Sequence, residues 1–126
     1  MSVKRVAEAR QRLWIVPGPL VVWALHFMAC YITAALWCGP AVPGGGSQAP
    51  WLPFALYTVA ALLAIGAIGW LGYRSHRLGD ASAPHDADSP ADRHRFIGLA
   101  TLLIAGLAFV SVIYSAMAVF MVPTCQ

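Results

Sequence analysis

Five side chains set the chemical question. Trp23, His26, Cys30, Thr33 and Trp37 follow one another in steps of 3, 4, 3 and 4 residues, so on a helix they share one face. All five lie in the stretch from Trp14 to Trp37, which contains no Asp, Glu, Lys or Arg. An imidazole in so apolar a run is costly unless it meets protein or a water-filled cavity. Three roles for His26 stay open at this point. It can be a neutral ring hydrogen-bonded to a neighbouring helix, with Thr101, Ser111 and Ser115 as candidate partners. It can contact a quinone head group or a partner subunit. Or it can ligate a haem axially, in which case bis-histidine ligation needs a homodimer or another protein's ligand. Trp23, also inside the run, carries an indole N–H that needs a partner and so points to another helix or chain.

The cysteines pose a second question. Cys38 closes the first apolar run and Cys125 follows the last one. Packed helix ends on one side of a membrane can reach the Cα separation of about 4.4–6.8 Å that a disulfide requires. A Cys38–Cys125 bridge would close most of the chain into one loop, worth about 4–5 kcal/mol in the chain-entropy model. Two unpaired thiols, or a pair held for copper or exchange chemistry, are the alternatives. No Cys-x-x-Cys or Cys-x-x-x-Cys spacing favours copper.

Between the second and third apolar runs, His76, His85 and His94 alternate with Asp80, Asp86, Asp88 and Asp92. His85-Asp86-x-Asp88 and Asp92-Arg93-His94 offer donors for a divalent metal. Gly79, Pro84, Pro90 and the serines and alanines among them read instead as a solvated loop, so no metal site is assigned. Gly44-Gly45-Gly46 lacks the preceding strand, helix start and lysine of a phosphate cradle and reads as a flexible link. No nucleophile–base pair occurs. No catalytic residue is assigned, and the chain is not read as an enzyme.

The elements that must position these residues follow from composition. Of 126 residues, 60% are hydrophobic and 10% charged, against about 45–50% and about 25% in soluble domains. Mean hydropathy is +0.69. A small soluble protein is mostly surface, and so few charges would not cover it. A soluble enzyme, a disordered tail and a nucleic-acid module are therefore excluded as expectations. Three runs, 14–37, 52–73 and 96–122, are long and apolar enough for helices across a hydrocarbon core of about 30 Å. Continuous apolarity, without alternation, argues against barrel strands. The expected fold is an all-α membrane protein with three transmembrane helices, 38–51 and 74–95 being loops. Residues 1–13 form an amphipathic surface segment and 123–126 a tail.

All eight basic residues fall before the first run (Lys4, Arg5, Arg10, Arg12) or between the second and third (Arg74, Arg77, Arg93, Arg95). The positive-inside rule then places the N-terminus and the 74–95 loop in the cytoplasm, with the C-terminus outside. This fits a multi-pass protein of a bacterial inner membrane. A run with three tryptophans is too long and bulky for a signal-peptide core, so the first helix is expected to be retained. Trp14, Trp37, Trp51, Trp70 and Tyr73 fall near run ends, where amphipathic rings anchor at the headgroups.

The third run carries small residues at Thr101, Ala105, Ala108, Ser111, Ser115 and Ala118, a face that lets another helix approach closely. Gly66, Gly69 and Gly72 provide a second smooth surface. A three-helix bundle needs fewer small faces than these. Trp23, Cys30, Thr33, Thr101, Ala105, Ala108, Ser111 and Ser115 are therefore expected to dock helices, with other membrane-protein subunits and the lipid bilayer as partners. No nucleic-acid or soluble-substrate partner is expected.

The run Gly18-Pro19-Leu20-Val21-Val22-Trp23-Ala24-Leu25-His26-Phe27 resembles the Gly-Pro-x-x-x-Trp-x-x-His-Phe pattern of small uncharacterised proteobacterial membrane proteins. Some of these are found alongside haem–copper oxidase components. The resemblance covers mainly the first helix, with an echo in Pro123-Thr124-Cys125, and carries no catalytic residue. It implies an accessory role in a respiratory complex; with the absence of a catalytic pair, the expectation is a non-catalytic accessory or assembly subunit of a bacterial inner-membrane respiratory complex, a terminal oxidase, with no cofactor in the chain itself. The alternative is a small haem- or quinone-binding electron-transfer protein that uses His26.

Overall fold

Prolines and glycines decide where the helices begin and how closely they pass. The computed structural model describes residues 13–39, 51–77 and 90–121, apart from the side chains of 90–92 and 94. The expected surface segment 1–12, most of both loops and the tail lie outside the described residues. Three α-helices follow in order: α1 (Gly18–Trp37), α2 (Trp51–Arg77) and α3 (Pro90–Met121). There is no strand among the described residues.

Trp14–Pro17 form a turn ahead of α1. In it Gly18 N–H donates to the Ile15 carbonyl at 3.2 Å, and Val21 N–H to the Pro17 carbonyl at 3.1 Å. Pro19 stands in the first helical turn, where its missing N–H leaves no bond unmade. The Pro-Gly-Pro run therefore starts the helix at Gly18 rather than at Trp14. At the other end Cys38 N–H still reaches the Ala34 carbonyl at 2.9 Å. A Cβ on Gly39 would come within 2.7 Å of the Ala35 carbonyl oxygen, so the exit from α1 needs a residue without one. α2 continues past the apolar run to Arg77, and Arg74, His76 and Arg77 in its last turn complement the helix dipole. α3 starts at Pro90, a position where proline is tolerated.

All three helices are long and apolar enough to cross a membrane: Gly18–Trp37, Trp51–Arg77 and Arg95–Met121, of 20, 27 and 27 residues. At 1.5 Å per residue even the shortest reaches about 30 Å.

Consecutive helices run antiparallel. Gly18 lies against Ile68, Gly69 against Ala105, and Gly72 against Gly98 and Thr101. The α2–α3 crossing is tightest at the arginine-bearing end. There a Cβ on Gly98 would meet the Gly72 carbonyl oxygen at 2.8 Å and His76 N at 2.9 Å. His76 Nδ1 donates to the Arg95 carbonyl at 3.4 Å across the same crossing.

The core consists of Ala61, Ile65, Ala105, Ala108 and Val112, with Val22, Trp23 and Leu62 packed on it. Large apolar side chains such as Leu63, Leu103 and Leu107 point outward. Small residues inside and large ones outside is the arrangement expected where lipid, not water, surrounds the bundle and close packing drives association.

The first half of the small-residue stripe of α3 faces the chain's own helices. Thr101, Ala105 and Ala108 are buried within the chain's own bundle, so they pack α3 against α1 and α2 and present no surface to a partner. Beyond Ala108 the buried line passes to Val112 and Ala116, because the helical turn carries Ser111 and Ser115 to its edge, where they are half-buried.

Candidate functional site

His26 sits mid-way along α1 with 4% of its surface exposed. Pro19, His26 and Cys30 are the buried residues of α1 and turn one face of the helix inward. The antiparallel pairing with α2 brings Thr58 opposite: His26 Nε2 and Thr58 Oγ1 are 3.1 Å apart. The Thr58 hydroxyl donates its proton to the Phe54 carbonyl one turn back, at 2.8 Å. A hydroxyl has one proton to give, so Thr58 accepts from His26, and the ring carries its hydrogen on Nε2. Cys30 Sγ lies 3.6 Å from the same nitrogen and adds a soft, secondary acceptor. His26 thus ties α1 to α2, and Cys30 lies buried beside it as a free thiol.

Two atoms of this face have no hydrogen-bond partner: His26 Nδ1 and Trp23 Nε1, both buried. The first is an acceptor under this tautomer and the second a donor. Each unsatisfied buried group costs about 1–3 kcal/mol. Trp23 packs on the core and lies 6.3 Å, ring to ring, from Phe27.

The hydroxyls expected to receive His26 bond elsewhere. Thr101 donates to the Ile97 carbonyl at 2.8 Å, Ser111 to Leu107 at 2.9 Å and Ser115 to Ser111 at 2.9 Å, each within α3. A mid-helix Ser or Thr commonly satisfies itself on the carbonyl four residues back. Thr58 does the same yet keeps a lone pair for His26. Its signal was present in the sequence, because Thr58 is the sole Ser or Thr between Trp51 and Tyr73 and α2 is the helix that follows α1.

Thr33 is half-buried and Trp37 exposed at the far end of α1. The Cys38–Cys125 pairing and the His85, Asp86 and Asp88 donors involve positions outside the described residues, as do the Asp92 and His94 side chains. Among the described residues no group of three or more His, Cys, Asp or Glu side chains is placed to hold a metal ion.

A separate open groove of about 370 Å³ runs between α2 and α3, lined by Gly66, Gly69, Gly106, Trp70, Tyr73 and Phe109 among others. The described residues thus form three helices of membrane-spanning dimensions, with a buried histidine–threonine tie between α1 and α2 and an open apolar groove between α2 and α3. No family model, curated protein or solved structure matches the chain.

Proposed function

We propose that the chain is a non-catalytic accessory or assembly subunit of a bacterial inner-membrane respiratory complex, of the terminal-oxidase type. One observation carries the non-catalytic part. The deep histidine is committed through Nε2 to Thr58 and Cys30, and so serves to hold α1 in place. The respiratory part rests on the likeness of Gly18–Phe27 to membrane proteins found beside oxidase components. The arginine-bearing end lies in the cytoplasm under the positive-inside rule, and the partner meets outward-facing side chains.

Purification in mild detergent through a tag on the N-terminus, with mass spectrometry of what accompanies it, tests this reading. Stoichiometric respiratory subunits are the expected result; a chain that migrates alone from its native membrane contradicts it.

The second reading, a haem- or quinone-binding electron carrier, is favoured by the unpartnered Nδ1 of His26. A bare ring nitrogen is what an axial ligand requires. It demands a visible chromophore or bound quinone that His26→Ala abolishes.

A further inference from the structure

The groove between α2 and α3 is apolar, opens over two glycines and has aromatic rings and an arginine near one end. A Cβ added to Gly66 or Gly106 would meet nothing within 4 Å, so the space over both is empty. Gly69 has another part, since its Cβ would come within 3.3 Å of Ala105 Cβ and its absence lets the helices close beneath the groove.

Toward the arginine-bearing end the groove is bordered by Trp70 and Tyr73, whose ring centroids are 6.0 Å apart. The Arg77 guanidinium lies over the Tyr73 ring, 5.5 Å from its centroid, a cation–π geometry. A cation is thus held against the tyrosine that borders the groove. Arg74 stands exposed one turn before Arg77, and no acidic group occurs among the described side chains to neutralise either.

Charge and axial order point to the occupant. From Gly66 to Trp70 the helix rises about 6 Å, and from Trp70 to Arg77 about a further 10 Å, at 1.5 Å per residue. A phospholipid has this order of polarity, with the upper part of an apolar chain leading through glycerol to a phosphate. A second copy laid along the face in the same membrane orientation would instead bring its Arg74 and Arg77 against these, and like charges repel.

We propose that this groove holds one acyl chain of an anionic phospholipid, with its phosphate at Arg77 and the Trp70–Tyr73 pair alongside the glycerol region. The site is independent of the respiratory reading and would stand if that reading failed.

Native mass spectrometry of the full-length chain, delipidated in detergent and offered phosphatidylglycerol or phosphatidylcholine of the same acyl composition, tests it. The wild type retains one phosphatidylglycerol in preference to phosphatidylcholine, by about fivefold for each engaged arginine. Arg77→Gln loses that preference while still retaining lipid. Gly106→Leu, which fills open space, loses both lipids; Gly66→Leu is the second groove-filling variant should Gly106→Leu fail to fold by circular dichroism. Equal retention of the two lipids by the wild type overturns the proposal. So does undiminished phosphatidylglycerol binding by a folded groove-filling variant, or a lipid-free dimer that the same variant dissociates.

Discussion

His26 Nε2 and Thr58 Oγ1 meet at 3.1 Å across the α1–α2 interface, and the proton that Thr58 gives to Phe54 makes the histidine the donor. Removing the acceptor should therefore loosen α1. Thr58→Val keeps the shape and lacks the oxygen, so a loss of about 1 kcal/mol is expected from an interhelical bond of this kind. Thr58→Ser should keep most of the stability. Thermal unfolding in detergent, followed by circular dichroism, compares the three proteins.

Trp23 offers the opposite case. Its buried Nε1 donor has no partner, so Trp23→Phe removes an unsatisfied group worth about 1–3 kcal/mol while giving up some packing against the core. The two effects oppose, and the expected result is a melting temperature close to wild type. A large loss of stability would show that the indole N–H is satisfied in the membrane.

The glycines divide by what surrounds them. Gly98→Ala drives a Cβ to within 2.8 Å of the Gly72 carbonyl oxygen and 2.9 Å of His76 N, backbone atoms that move only if the helices separate. Destabilisation of about 1–3 kcal/mol is expected, the range of overpacked cores. Gly106→Ala meets open space and should gain up to about 1 kcal/mol from helix propensity. Unfolding curves of the two variants side by side measure the difference.

The thiols make a prediction of their own. Cys30 is free and buried. With Cys38 and Cys125 bridged as the sequence leads one to expect, alkylation of the denatured, unreduced chain should label one cysteine, and alkylation after reduction all three. Mass spectrometry counts the labels. Three labels without reduction would rule the bridge out.

Much of this arrangement is legible in the residues. Continuous apolar runs announce three helices, and the spacing of Trp23, His26 and Cys30 gives the face that α1 turns inward. Small residues say that a helix approaches without saying whose, and Ala105 and Ala108 lie buried among residues of α1 and α2 of the same chain. The partner of His26 was harder for a different reason. Ser111, Ser115 and Thr101 look equally able to receive an imidazole, and their bonding to carbonyls of their own helix appears only in three dimensions. Helix ends outran the apolar runs at Arg77 and Pro90, since apolarity marks the bilayer's thickness and a helix continues beyond it while its backbone bonds are made.

Whether His26 is a structural tie or a cofactor ligand is decided most directly by a visible spectrum and a quinone extract of the intact chain. Both are taken on protein purified in mild detergent and freed of other subunits. With Nε2 engaged by Thr58 and Nδ1 buried within the bundle, a colourless and quinone-free protein is expected. A haem band, or stoichiometric quinone, that disappears in His26→Ala while the protein stays folded would contradict it.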